Sequence, residues 1–135
     1  MTKSDYKNDL IYPELSYKIV GCAFEVFNEV GGSHKESIYQ KGMSIAFKNQ
    51  LLNFKEQVYY SVTFKNNVIG KNFFDFLIEE KIIVELKSLG HFTKGHYDQV
   101  LNYLKVSGLK LAILISFGQN EVKYKRVINF QGENS

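Results

Sequence analysis

The stretch Lys81-Ile82-Ile83-Val84-Glu85-Leu86-Lys87-Ser88-Leu89 decides how this chain is read. Its aliphatic, β-branched texture predicts a strand. Side chains alternate faces along a strand, so Glu85 and Lys87 share the face of Ile83, while Ile82, Val84 and Leu86 share the other. Charge in so apolar a strand is costly unless it is paired, metal-bound or solvated at an edge. The preceding run, Lys71-Asn72-Phe73-Phe74-Asp75-Phe76-Leu77-Ile78, predicts a second strand with Asp75 as a lone carboxylate among apolar residues.

The link between these strands controls whether the two carboxylates meet. Asp75 stands directly opposite Glu85 on one face if the connection is centred on Glu80 and has an odd number of residues. A two-residue loop at Glu80-Lys81 would pair Asp75 with Leu86 and send the carboxylates to opposite faces. Glu79-Glu80-Lys81 contains no Gly or Asn, so the sequence does not favour the two-residue type I′ turn. It allows the facing geometry without requiring it.

Working outward, Pro13 opens a helix whose apolar stripe, Tyr17, Val20, Phe24 and Phe27, runs to Val30. Gly31-Gly32 ends it, and a second helix is expected from near Ser33 to about Leu51, with Tyr39, Met43, Ala46 and Phe47 on one stripe. Val58 to Phe64 predicts a strand and Lys65-Asn66-Asn67 its turn. After the two strands above, a loop through Gly90 and Gly95 leads to a third helix, His96 to Val106, stopped by Gly108. Leu109 to Phe117 is a near-continuous apolar run suited to a strand buried on both faces, and Val122 to Phe130 predicts the last strand. The predicted order is α-α-β-β-β-α-β-β, an α/β chain of the α+β type. Residues 1–12 are expected to be a flexible leader, 13–130 one domain, and 131–135 a tail.

Composition narrows the functional classes. The chain has 135 residues, with 44% hydrophobic and 23% charged, an ordinary globular balance. No apolar run reaches the ~20 residues of a membrane span, and the polar start does not read as a signal peptide, so a cytoplasmic, non-membrane protein is expected. Cys22 is the only cysteine, which excludes an internal disulfide and argues against a cysteine zinc site. Of the 17 basic residues only Arg126 is arginine, in a net charge of +3. Bidentate base reading leans on arginine, so sequence-specific duplex recognition is poorly supported, whereas lysines can contact phosphates without preference.

Asp75, Glu85 and Lys87 form the minimum set for metal-assisted phosphodiester hydrolysis. A hard divalent ion needs carboxylate oxygens, with water and substrate phosphate completing its shell. It lowers the pKa of a bound water, and a lysine stabilises the charge that develops. The plain alternative is a Glu85–Lys87 salt bridge or charges on an open sheet face. On the third helix Gln99 and Tyr103 are four apart and share a face; a rim residue and a core-edge aromatic are the plain alternatives. Glu36 shares a face with Tyr39 and Met43. Ser33-His34-Lys35-Glu36 also matches the capping box S-x-x-E, which would give Glu36 a purely local role.

Glu36, Tyr39, Asp75, Glu85, Lys87, Gln99 and Tyr103 together resemble the PD-(D/E)XK nuclease superfamily, and within it the small bacterial GxxExxY proteins. The likeness covers roughly residues 14 to 129 and includes Gly21-Cys22-Ala23-Phe24-Glu25-Val26, Ile83-Val84-Glu85-Leu86-Lys87 and Gln99-Val100-Leu101-Asn102-Tyr103-Leu104-Lys105. It implies a restriction-endonuclease-like core, a mixed β-sheet flanked by helices. It also implies Asp75, Glu85 and Glu36 as ligands of Mg2+ or Mn2+, and Lys87 as the water-orienting or charge-stabilising base. Gln99 and Tyr103 would position the substrate end. One departure is plain: the family's naming glycine falls at Ser33, so the first letter of GxxExxY is absent.

The resemblance and the residues imply a divalent-metal-dependent nuclease acting on DNA without strong sequence specificity. The alternative, from another class, is a catalytically silent nuclease-fold module that binds nucleic acid or a protein. The small size points to a homodimer or a protein partner, because few surface elements remain to grip a duplex.

Overall fold

The structure is a computed structural model and describes residues 11–130. The expected leader, through residue 10, and the expected tail, 131–135, lie outside the described residues. Ile11 and Tyr12, read with the leader from sequence, belong with the core: Ile11 is buried and Tyr12 packs against the same cluster.

The elements follow the expected order. They are α1 (Pro13–Val30), α2 (Glu36–Asn49), β1 (Phe54–Phe64), β2 (Asn67–Ile78), β3 (Ile82–Lys87), α3 (Lys94–Ser107), β4 (Leu111–Phe117) and β5 (Val122–Ile128). The differences from the sequence reading are at the ends: β1 and β2 each start four residues earlier than expected, at Phe54 and Asn67, and α2 starts three residues after Ser33. The five strands form one sheet in the order β1-β2-β3-β4-β5. β1, β2 and β3 are antiparallel neighbours, β3 and β4 run parallel, and β4 and β5 are antiparallel. The parallel pair requires a crossover, and α3 supplies it.

Helices cover both faces of the sheet. Ile82, Val84 and Leu86 of β3, with Ile113 and Ile115 of β4, pack under α1 and α2 against Ile19, Val26, Met43 and Phe47. Ile83, Ala112 and Leu114 face the other way, under Val100 and Leu104 of α3. Strands covered on both faces explain the near-continuous apolar run from Leu109 to Phe117. The turn at Lys65-Asn66 closes the β1–β2 hairpin with positive φ at both residues, 49° and 66°, as a type I′ turn requires.

Gly32 fixes how the α1–α2 loop meets the sheet. A Cβ there would stand 2.1 Å from the Gln119 carbonyl oxygen, so only glycine admits the close approach of this loop to the β4–β5 turn. Tyr39 secures the same junction. Its hydroxyl donates to the Gly31 carbonyl at 2.8 Å, and its ring stacks on Phe117 with centroids 4.1 Å apart. These contacts set the start of α2 beside the C-terminal ends of β3 and β4.

Candidate active site

The β2–β3 register answers the question the sequence left open. Phe76 pairs with Val84, Leu77 with Ile83 and Ile78 with Ile82, so the connection is Glu79-Glu80-Lys81, centred on Glu80. Glu79 and Glu80 adopt left-handed φ values of 52° and 57°. The loop is tied down by Asn53, the residue before β1: the Glu79 amide donates to the Asn53 carbonyl at 2.8 Å, and its carboxylate accepts from the Asn53 amide at 3.2 Å and from Nδ2 at 3.3 Å. Those bonds offset the cost of left-handed backbone at residues other than glycine.

Past Phe76 and Val84 the ladder stops and the two carboxylates enter the gap. The Asp75 amide donates to Glu85 Oε1 at 3.0 Å, and the Leu86 amide donates to Asp75 Oδ2 at 2.7 Å. Each carboxylate thus takes a backbone amide of the facing strand, where a ladder carbonyl would otherwise sit. The strand bends here. Phe74 and Leu77 both pack on the α3 side although they are three apart, so strict alternation breaks at Asp75. Gln57, which lies opposite Asp75 between the pairs Glu56–Phe76 and Val58–Phe74, has a left-handed φ of 51°.

This pair is electrostatically tense. Glu85 is buried, and its carboxyl is pushed up from 4.5 to about 9, first by burial and then by the charge of Asp75. The Asp75 amide and the ammonium of Lys87 pull the other way but do not prevail. Lys87 Nζ lies 3.8 Å from Glu85 Oε2. The salt bridge weighed from sequence therefore exists, but it joins a lysine to one of two carboxylates rather than neutralising the cluster. Ser116 stands beside Lys87 in the β3–β4 register, and its Oγ is buried without a hydrogen-bond partner among the described residues.

The donor set fits a hard divalent cation. It offers two facing carboxylates in excess of positive charge, with oxygen as the only donor type. Among the described residues no three His, Cys, Asp or Glu side chains gather as a full protein cage. An ion such as Mg2+, which keeps several waters and takes one or two carboxylates plus phosphate, suits two carboxylates better than an all-protein cage.

Glu36 approaches from α2 but does not complete a triad of carboxylates. The capping box is not formed: Lys35 is the N-cap, and Glu36 is the first helical residue. Its Oε1 accepts from the Ser88 amide at 3.2 Å, directly after β3. Glu36 therefore acts across 52 residues of sequence, on the backbone just past β3, instead of locally.

The third helix contributes from above. Gln99 is half-buried. Tyr103 packs edge-on against Tyr60, with centroids 5.3 Å apart, and against Phe74 at 4.7 Å; burial raises the pKa of its phenol and keeps it protonated. The helix is capped by Thr93, whose Oγ1 accepts from the His96 amide while His96 Nδ1 accepts from the Thr93 amide, both at 3.2 Å. His96 is held below its ordinary pKa by burial and by the charge of Lys87, with Glu36 acting in the opposite sense. His96, in the first turn of α3, thus senses the charges of both Lys87 and Glu36.

Parted strands with facing carboxylates, a lysine two residues after the second, and helices on both faces are the arrangement the sequence resemblance implied. The family model described as the PD-(D/E)XK nuclease superfamily matches residues 13–127. This chain belongs to the PD-(D/E)XK nuclease superfamily. Among solved structures it is similar to the crystal structure of SSO0001, with a TM-score of 0.55 and 18% identity over 69% of this chain. The match covers 49% of that chain, so the present sequence spans about half of its length, and at this identity the likeness is one of fold. No curated protein matches the chain.

Three residues beside this candidate site were missed in the sequence reading. Ser116 sits in the most apolar run of the chain, where a lone hydroxyl reads as filler until the parallel register sets it beside Lys87. Ser88 contributes only its amide. Thr93 could have been found, because Thr93-Lys94-Gly95-His96 has a capping residue three before a side chain able to return the bond.

Proposed function

We propose that this chain is a Mg2+- or Mn2+-dependent nuclease that hydrolyses phosphodiester bonds in DNA without strong sequence preference. The observation that carries the reading is the gap between β2 and β3, where Asp75 and Glu85 each hold an amide of the other's strand 3.0 Å or less away. A scaffold built only for stability has no use for two facing carboxyl groups, one of them buried, that cannot both ionise without cost. Membership of the PD-(D/E)XK superfamily supports the same chemistry, and the resemblance of Glu36, Tyr39, Asp75, Glu85 and Lys87 to the GxxExxY proteins is in keeping with it.

In this reading Asp75 and Glu85 hold the ion, which when bound lowers the pKa of water and offsets charge on the phosphate. Their mutual amide bonds fix both carboxylates before the ion arrives, so little side-chain ordering remains. Lys87 offers its ammonium to the phosphate oxygens as negative charge builds on them. Glu36 faces the site from the Ser88 amide and acts on the ion through water. Gln99 faces the substrate, and Tyr103, wedged against Tyr60 and Phe74, sets the position of α3.

Purified full-length chain incubated with single- and double-stranded DNA and RNA, in Mg2+ or Mn2+ against chelator, tests the proposal. Cleavage in metal that is lost in Asp75→Ala together with metal binding, and lost in Lys87→Ala without loss of metal binding, is the expected result. Wild-type protein that holds metal yet cuts none of these substrates, alone or with its natural partner, would favour a silent nuclease-fold module instead.

A further inference from the structure

The outer half of the β1–β2 hairpin and the helix α3 enclose a groove of about 350 Å3, lined by Tyr60, Val62, Asn72, Gly95, Gln99 and Asn102. The lining follows from register. Tyr60 pairs with Asn72 and Val58 with Phe74, so Tyr60 and Asn72 share the α3 side of the hairpin with Phe74. On α3, Gly95, Gln99 and Asn102 recur at helical spacing and face them. Asn72 precedes Asp75 by three residues, so the groove lies roughly 10 Å along the strand from the carboxylate gap.

Its chemistry is specific. Three carboxamides and one phenol ring line it, with no charged side chain, beside a site rich in charge. Amides pair with base edges through both a donor and an acceptor, and a tyrosine ring offers a stacking or edge contact to a base. A phosphate would find no cation in this lining. The volume accepts one nucleobase with part of its sugar, and amides can pair with a Watson–Crick edge only where that edge is not already paired. A base can enter only when it is unpaired, as in a single strand or a frayed end.

We infer that this groove is a nucleobase-binding subsite, lined by Tyr60, Asn72 and Asn102, that selects single-stranded nucleic acid or frayed ends over intact duplex. The inference rests on the nuclease reading for its ligand class, but its test does not require cleavage. Tyr60 also holds Tyr103, so the substitutions are made elsewhere. Asn72→Ala with Asn102→Ala removes amides at a half-buried and an exposed position. Gly95→Leu fills the groove, and the added Cβ meets only the Thr93 hydroxyl at an ordinary 3.7 Å.

Fluorescence anisotropy with one labelled DNA 15-mer, single-stranded or as a blunt duplex, is read in chelator at fixed low salt. Wild type is expected to bind the single strand at least tenfold more tightly than the duplex. The double variant and Gly95→Leu are each expected to lose fivefold or more in single-strand affinity while duplex binding is unchanged. Thermal unfolding confirms that each variant is folded, and Gly95→Leu carries the test if the double variant is not. Equal binding of the two probes by wild type, or an unchanged preference in the folded variants, overturns the subsite. Preference for the single strand without cleavage in metal would instead remove the nuclease reading and leave the subsite standing. Cleavage of duplex interiors with no single-strand preference would do the reverse.

Discussion

The two faces of β3 are built from alternate residues of one six-residue strand, yet they do opposite things. Ile82, Val84 and Leu86 point under α1 and α2 into a continuous apolar cluster with Phe47, Phe76 and Ile113. Ile83, Glu85 and Lys87 point toward α3, and only the first of them joins an apolar cluster. On one face burial drives folding; on the other, burial drives a carboxyl to about 9, so that it keeps its proton where an exposed carboxyl would be ionised. The contrast teaches where stability and function reside in this fold. The helical pair holds the strand rigidly enough that the opposite face can carry charges that oppose folding.

Leu86→Ala should give the largest change. Deleting a fully packed leucine side chain costs about 2–5 kcal/mol, read as a shifted denaturation midpoint, and the loss should be the same with or without metal. A metal-dependent loss would mean that the α1–α2 face is not independent of the site.

Lys87→Ala sharpens the comparison from the other face. Cleavage should fall about 10²–10³-fold, the usual scale for removing one transition-state donor, while calorimetric metal affinity stays near wild type. A matching loss of metal affinity would assign Lys87 to holding the carboxylates and not to the reaction.

Glu85→Gln should reverse the sign seen at Leu86, one residue away. Below about 4.5 Glu85 is protonated in both the folded and unfolded chain and has no pH effect. Between about 4.5 and about 9 the unfolded chain gives up this proton while the folded chain keeps it, so metal-free stability falls as pH rises and levels off above 9. The glutamine variant should lose this slope and be more stable than wild type at pH 8, measured by urea titration across pH. Metal must displace the same proton, so wild-type metal affinity should climb with pH up to about 9.

The smallest expected effect is Tyr39→Phe. It removes the hydroxyl bond to Gly31 but keeps the stack on Phe117, costing about 1 kcal/mol. Because that bond sets the start of α2, metal affinity should soften slightly if Glu36 contributes through water, and remain unchanged if it does not.

Much of this architecture was legible in the chain. Pro13 to Val30 reads as one helix with its true ends, because proline opens it and Gly31 closes it locally. The apolar run before Phe117 reads as a central strand, since only burial on both faces tolerates it. Asp75, Glu85 and Lys87 stand out because charges among aliphatic residues break a two-residue period. Glu36 was readable in two ways, and the local one failed: the loop at Gly31-Gly32 packs on Gln119, which pushes the helix start to Glu36 itself. The sequence by itself therefore determined the elements and named the charged residues, since propensity and periodicity act over a few neighbours. Only the tertiary structure decided that Asp75 and Glu85 face each other, that Glu36 reaches Ser88, and that Ser116 stands beside Lys87. Those relations depend on register, on a loop anchored by Asn53, and on a parallel pairing across α3. They are set by contacts between residues far apart in the chain, which no local pattern encodes.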